Sequence, residues 1–184
     1  MLEISLHILD IINNSVKAGA SLVELNICED TEKNRLTVEI IDNGCGMEED
    51  FLRDVTNPFR TTRTTRKVGM GLSLFKAAAE ETGGSLSITS KVGEGTRVIT
   101  DFVYDHIDRQ PIGDMAGTIT TVLSGNPDID FLYRHTKDGK EFILDTRRMR
   151  EILGDDAPLS SPEVILWLTD FINEGLQEIS ESSK

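Results

Sequence analysis

Asp10, Asn14 and Lys17 are separated by four and three residues, so a helix over 4–18 lays them along one face, with His7 one step before them. A carboxylate, an amide oxygen and an ammonium in that order suit a magnesium phosphate. Mg²⁺ takes oxygen ligands in an octahedron and keeps several waters; Asn14 and Asp10 offer oxygens, and Lys17 offers a cation to phosphate. The same face equally suits the solvated side of an amphipathic helix whose apolar side is Ile4, Ile8, Ile11 and Ile12.

A second stretch, FRTTRTTRKVGMG at 59–71, narrows the choice. No acid occurs between Asp54 and Glu80, whereas Arg60, Arg63, Arg66, Lys67 and Lys76 all fall there. The run leads into Gly69-Met70-Gly71 and then into LSLFKAAAEET, which is rich in helix formers. A helix opening after Gly71 points unpaired N–H groups and partial positive charge at the end of the cationic loop, a setting that accepts phosphate. Two further Gly-x-Gly pairs, Gly44/Gly46 and Gly93/Gly95, follow a strand ending in Asp42-Asn43 and occupy a turn ending in Thr96. Each pair alone also fits an ordinary tight turn. GxxxxGK[ST] is absent, and no GxGxxG follows a strand, which excludes the two commonest phosphate loops.

These residues need elements to hold them. Strands are expected at 21–28, 35–42, 85–91 and 96–103, a short helix at 48–54, a long loop at 55–70, and a helix from Leu72 that stops at Gly83-Gly84. Residues 105–112 read as a boundary. Beyond it the pattern predicts a helix near 113–124, strands at 129–136 and 140–146 around an Asp138-Gly139 turn, and a final helix at about 162–180. The two parts are thus 1–104 and a C-terminal extension over 105–184.

The composition sets bounds. A chain of 184 residues with 38% hydrophobic and 28% charged content suits a globular protein. No apolar run approaches the roughly 20 residues that span a bilayer, and MLEISLHILDIINN lacks the basic start of a secretory signal. Cys28 and Cys45 are isolated, which predicts neither a disulfide framework nor a cysteine metal site, and fits a cytoplasmic setting. A net charge of -13 excludes a general nucleic-acid binder, which needs a basic face.

The motifs together resemble those of the histidine-kinase-like (GHKL) ATPases, the group that includes sensor histidine kinases, anti-sigma-factor kinases, MutL and type II topoisomerases. DIINNSVKAGA is similar to the N box, DNGCGM to the G1 box, NPFRTTR to the F box, VGMGLSLFKAAAEETGG to the G2 box with its helix, and GEGT to the G3 box, in family order over about residues 4–104. The resemblance implies an α/β two-layer sandwich, a mixed sheet with helices on one face (the Bergerat ATP-binding fold), followed here by an α/β extension. It also implies ATP and Mg²⁺. Asp42 would read the adenine amino group, with Thr96 supporting that end. Gly44, Gly46, Met47, Gly69, Met70, Gly71 and Leu72 would line the nucleotide. Asn14 would hold the metal, and Lys17, Arg66 and Lys67 would face phosphate. Residues 55–68 would form a lid that orders when nucleotide binds. Asp10 would be the catalytic residue, deprotonating the acceptor or orienting it.

Two positions depart from the pattern. Asp10 is shorter than the glutamate of MutL-like members, and Lys17 stands where those members carry aspartate, so hydrolysis does not follow from the resemblance. The motifs begin at the first residues, so no phospho-acceptor helix is expected ahead of them. The expected function is transfer of the ATP γ-phosphate to a separate partner protein. The alternatives are a non-catalytic ATP switch and a slow ATPase. Residues 105–184 are expected to serve docking or homodimerisation.

Overall fold

The computed structural model describes residues 3–55, 71–154 and 158–181. The elements run α1 (Ile4–Lys17), β1 (Leu22–Asp30), β2 (Arg35–Asp42), α2 (Glu49–Asp54), α3 (Gly71–Glu80), β3 (Ser85–Lys91), β4 (Gly95–Val103), α4 (Met115–Gly125), β5 (Asp130–Lys137), β6 (Lys140–Asp145), α5 (Thr146–Leu153) and α6 (Pro162–Ser180). Strands alternate side chains between two faces. Accordingly Val23, Leu25 and Ile27 of β1 and Leu36, Val38 and Ile40 of β2 are buried on one face. Val98 and Phe102 of β4 and Phe131 and Tyr133 of β5 continue it. Ile4, Ile8 and Ile12 of α1, Phe75 and Ala79 of α3, Ile119 of α4 and Leu168 and Ile172 of α6 close over that face. Each large apolar side chain buried this way contributes about 1.5–3 kcal/mol.

The sheet has six strands in the order β3-β4-β2-β1-β5-β6. β1 pairs antiparallel with β2 and parallel with β5, so the sheet is mixed. The parts expected at 1–104 and 105–184 therefore share one sheet, with Leu22 opposite Asp130 and Ile27 opposite His135. The connection between them also caps α1. Glu3 makes no side-chain cap there. Instead the N–H groups of Ile4 and Ser5 donate to the carbonyls of Pro111 and Ile112 at 3.0 and 2.8 Å, filling donors that a helix start leaves open.

Most expected elements appear within a residue or two of their expected bounds. α4 begins at Met115 rather than 113 because Asp114 takes the N-cap and accepts from the Gly117 N–H at 2.8 Å. α5 was not expected. Asp145 ends β6, accepts from the Arg147 N–H at 3.0 Å and starts the helix; of α5 only Thr146 is fully buried, and the core-facing row it starts with Met149 and Leu153 is only two turns long.

One buried polar network lies under the helices at the far end of β1. Glu29 Oε1 is 2.8 Å from His135 Nε2, and His135 Nδ1 is 2.7 Å from the Tyr133 hydroxyl. Tyr104 donates to Glu29 Oε2 at 3.0 Å, and Lys137 Nζ lies 3.5 Å from the same oxygen. The bonding closes when Nε2–H donates to the carboxylate and Nδ1 accepts from Tyr133. Burial, reinforced by the Glu29 charge, pushes the Tyr133 hydroxyl far above its usual range, so it remains a donor.

Candidate nucleotide site

The site is built around the end of β2. Asp42 is 9% exposed, and both its oxygens are held. Oδ1 accepts from the Gly44 N–H at 2.9 Å, and Oδ2 accepts from the Ser15 hydroxyl at 2.6 Å. Ser15 is on α1, immediately after Asn14, so the same helix turn that presents the amide also anchors the carboxylate. Thr96 stands directly opposite Asp42 across the β2–β4 ladder. A cavity of about 260 Å³ is lined by Asp42, Thr96, Ser90 and their neighbours on the strand ends. It is smaller than the roughly 300–1,000 Å³ that encloses a drug-sized ligand, and it does not reach Asn14 or Gly71.

The glycine turn between β2 and α2 is clamped from three sides. Asn43 Oδ1 accepts from the N–H groups of Ser21 and Leu22, both at 2.9 Å, which ties the turn to the start of β1. The Cys45 N–H donates to the Ala18 carbonyl at 2.9 Å, just past α1. The Gly93 N–H donates to the Cys45 carbonyl at 2.9 Å, which ties the turn to the β3–β4 hairpin. Two glycines are required by this packing. Gly46 has φ +66°, and a Cβ there would lie 2.0 Å from the Lys91 carbonyl oxygen; Gly95 has φ +102°, and a Cβ there would lie 1.9 Å from the Asp42 carbonyl oxygen. Gly95→Ala is therefore expected to destabilise the protein by more than about 1 kcal/mol and to displace the strand end that carries Asp42. Thermal melting checks this; a wild-type melting temperature would show that the turn relaxes without loss.

The other end of the site lies between α1 and α3. His7 stacks on Phe75 with centroids 4.9 Å apart, and a Cβ on Gly71 would lie 3.0 Å from Asp10 Oδ2. The described start of α3 thus abuts the Asp10 turn of α1. Asp10 and Lys17 are exposed and Asn14 is half-buried, while Gly71 and Leu72 are buried. Asp10 and Asn14 supply oxygen donors on successive turns, the donor type Mg²⁺ takes. Among the described residues no group of three or more His, Cys, Asp or Glu could hold a metal by itself.

The structure brings together Asp42, Gly44, Gly46 and Thr96 at one end and Asp10 and Gly71 at the other. Met47 lies beside the first group, its N–H donating to Ser90 Oγ at 2.9 Å. Arg66, Lys67, Gly69 and Met70, with most of the expected lid, lie outside the described residues. His7 departs from the expected polar face. It is 1% exposed, and burial lowers its pKa despite the contact of Nε2 with Gln110 at 3.1 Å. The helix turns it under α3, where Phe75 covers it. Ser15, Asn43 and Ser90 were not singled out in the sequence; each is a short polar residue beside a motif, and nothing in its type announces its partner.

Known proteins give the same picture. Residues 3–105, more than half of the chain, match the family described as Histidine kinase-, DNA gyrase B-, and HSP90-like ATPase. The Autoinducer 2 sensor kinase/phosphatase LuxQ of Vibrio cholerae is 30% identical over 104 residues, which cover 52% of this chain and 12% of that protein. An uncharacterized sensor-like histidine kinase of Rhizobium meliloti is 32% identical over 103 residues, covering 53% of this chain and 20% of that protein. The chain thus spans a fifth or less of these relatives. The Aquifex aeolicus MutL ATPase domain complexed with ADP superposes with a TM-score of 0.51 at 16% identity, over 83% of this chain and 69% of that one. The N-terminal domain of a DNA repair protein does so with 0.55 at 14%, over 84% and 58%. These two structures share the fold. Among the described residues no helix is long and apolar enough to cross a membrane. With the motif order, the mixed sheet and the family match in agreement, the chain belongs to the Histidine kinase-, DNA gyrase B-, and HSP90-like ATPase family, and ATP is the nucleotide such a domain binds.

Proposed function

We propose that the chain binds Mg-ATP between α1 and the segment leading into α3, and that it passes the γ-phosphate to a separate protein. The buried Asp42 carboxylate carries this reading. It is held by Ser15 and Gly44 opposite Thr96, at a strand end where an acceptor can meet an adenine amino group. Asp42 and Thr96 read the base. Gly44, Gly46 and Met47 serve the base, and Gly71 and Leu72 serve the phosphates, a role the sequence motif also assigns to Gly69 and Met70. Asn14 holds the magnesium, and Lys17, Arg66 and Lys67 face phosphate. Bound magnesium would offset charge that develops on the phosphates. Asp10 takes the proton from the acceptor as its oxygen or nitrogen bonds to the γ-phosphorus, and ADP leaves with the bridging oxygen.

The relatives named as sensor kinases support a signalling role, and the net charge of -13 supports a protein partner over nucleic acid. Residues 105–184 are the proposed docking or dimerisation region. Leu166 and Trp167 of α6 are exposed there by 66% and 47%. A cytoplasmic location fits Cys28 and Cys45, neither of which forms a disulfide among the described residues.

Incubation with γ-labelled ATP and candidate partners tests the reading. Label on a partner supports it. Free phosphate without transfer would make the chain an ATPase, and tight binding without turnover would make it a nucleotide switch. The chain alone is expected to acquire no stoichiometric acid-labile label. His7 and His135 are 1% and 3% exposed, so neither can meet a phosphate in line, and the half-buried His106 lies in the connection after β4 without a kinase acceptor motif. Stoichiometric label mapped to a histidine of this chain would overturn that expectation.

A further inference from the structure

Four polar side chains form a row across α1 and three strands. Ser15 bonds Asp42, Asp42 stands opposite Thr96, and Thr96 stands opposite Ser90 across the β3–β4 ladder. Ser90 ends the row and has no role in the reading above. Its Oγ makes three contacts: 2.9 Å to the Met47 N–H, 2.8 Å to the Gly95 carbonyl and 2.9 Å to Thr96 Oγ1.

A serine hydroxyl has one proton and two lone pairs. The Met47 N–H can only donate, so it occupies one lone pair. The Gly95 carbonyl can only accept, so it takes the proton. The remaining lone pair of Ser90 then receives the Thr96 proton. All three contacts are satisfied in this arrangement, and the alternative in which Ser90 donates to Thr96 leaves the Gly95 contact without a proton. Thr96 Oγ1 therefore faces the cavity with lone pairs only. An ionised carboxylate is likewise an acceptor only, so Asp42 and Thr96 together form a wall that offers no donor.

We propose that Ser90 is a positioning residue for base selection: it holds the Thr96 hydroxyl as an acceptor, so that the wall takes a purine with an amino group at C6 and repels one with an oxygen there. The inference rests on the reading of Asp42 and Thr96 as the base-recognising pair. Two donors on a 6-amino group satisfy two acceptors. A 6-oxo group sets a lone pair against them and leaves buried acceptors unpaired, the condition under which polar sites discriminate most. Without Ser90, the Thr96 hydroxyl is free to turn and donate to the oxygen.

Calorimetry on the full chain with Mg-ATP and with Mg-inosine triphosphate tests this. The wild type is expected to prefer ATP by about ten-fold or more. Ser90→Ala is expected to lose most of that preference, chiefly by gaining affinity for inosine triphosphate. Ser90→Cys, nearly the same size, should do likewise if the alanine variant folds poorly. Ser90→Thr restores the hydroxyl and should restore the preference. A role in folding alone would weaken both nucleotides equally and leave their ratio unchanged. An unchanged ratio in a folded Ser90→Ala or Ser90→Cys variant overturns the proposal, as does a wild type that binds both nucleotides equally. A wild type that binds neither overturns the nucleotide site itself, and the proposal with it.

Discussion

Asp42→Asn is expected to bind ATP at least about ten-fold more weakly than the wild type and to remain folded. A hydrogen bond to a charged group contributes roughly 1.5–3 kcal/mol, and each 1.4 kcal/mol is about ten-fold in affinity. The geometry says why the loss falls on binding. The Gly44 N–H must keep an oxygen, so the asparagine amide sets its oxygen where Oδ1 stands and its nitrogen where Oδ2 stands. Ser15 can turn its hydroxyl to accept from that nitrogen. An amino group on the base cannot, and two donors then face each other. Calorimetry with Mg-ATP, beside a thermal melt of the variant, checks this. Wild-type affinity in a folded variant would put the base somewhere else.

Glu29→Ala is expected to cost about 3–5 kcal/mol, the usual penalty for breaking a buried ion pair from one side, here the pair with Lys137. In a chain of 184 residues that lowers the melting temperature by roughly 10 °C. The side chains of Glu29 and His135 are 8% and 4% exposed, and removal of the carboxylate strands His135, Tyr104 and Lys137 together. Burial alone would raise the Glu29 pKa. The hydrogen bond from His135, the charge on Lys137 and the Tyr104 hydroxyl outweigh it and hold the carboxyl below its ordinary 4.5. Because the folded value lies below the unfolded one, the unfolded chain binds the extra proton in that window. The stabilisation is complete above the ordinary value and is lost as pH falls through the depressed one. Glu29→Gln removes this dependence, so its melting temperature should fall less steeply than that of the wild type between about pH 5 and 3. Parallel curves would show that the network contributes nothing to acid stability.

The two predictions concern opposite ends of β1 and β2, and they divide what the sequence disclosed from what it withheld. Asp42 was legible because a strand of alternating Leu, Val and Ile ends there against a glycine turn. Glu29 was not. It sits in an ordinary run of acids, and its partner His135 comes from a strand whose place in the sheet only the parallel β1–β5 pairing establishes.

By itself the sequence determined every element but α5, because the periods of 2 and 3.6 in apolar residues are local and survive without tertiary knowledge. It also determined the order of the glycine boxes and the fold they belong to. It placed Asp10, Asn14 and Lys17 on one helix, where spacing along a single element decides the matter. Only the tertiary structure decided which short polar side chains serve the site. Ser15 and Asp42 are 27 residues apart, and Asn43 and Ser21 are 22 apart. Ser90 and Thr96 are closer in the chain, yet their contact depends on the hairpin register. The same holds for His7, whose side of α1 became a core face only when Phe75 of α3 packed on it. A hydroxyl, an amide or an imidazole has many possible partners along a chain. Which one it meets, and whether it donates or accepts, is set when distant strands and helices are brought within about 3 Å of each other.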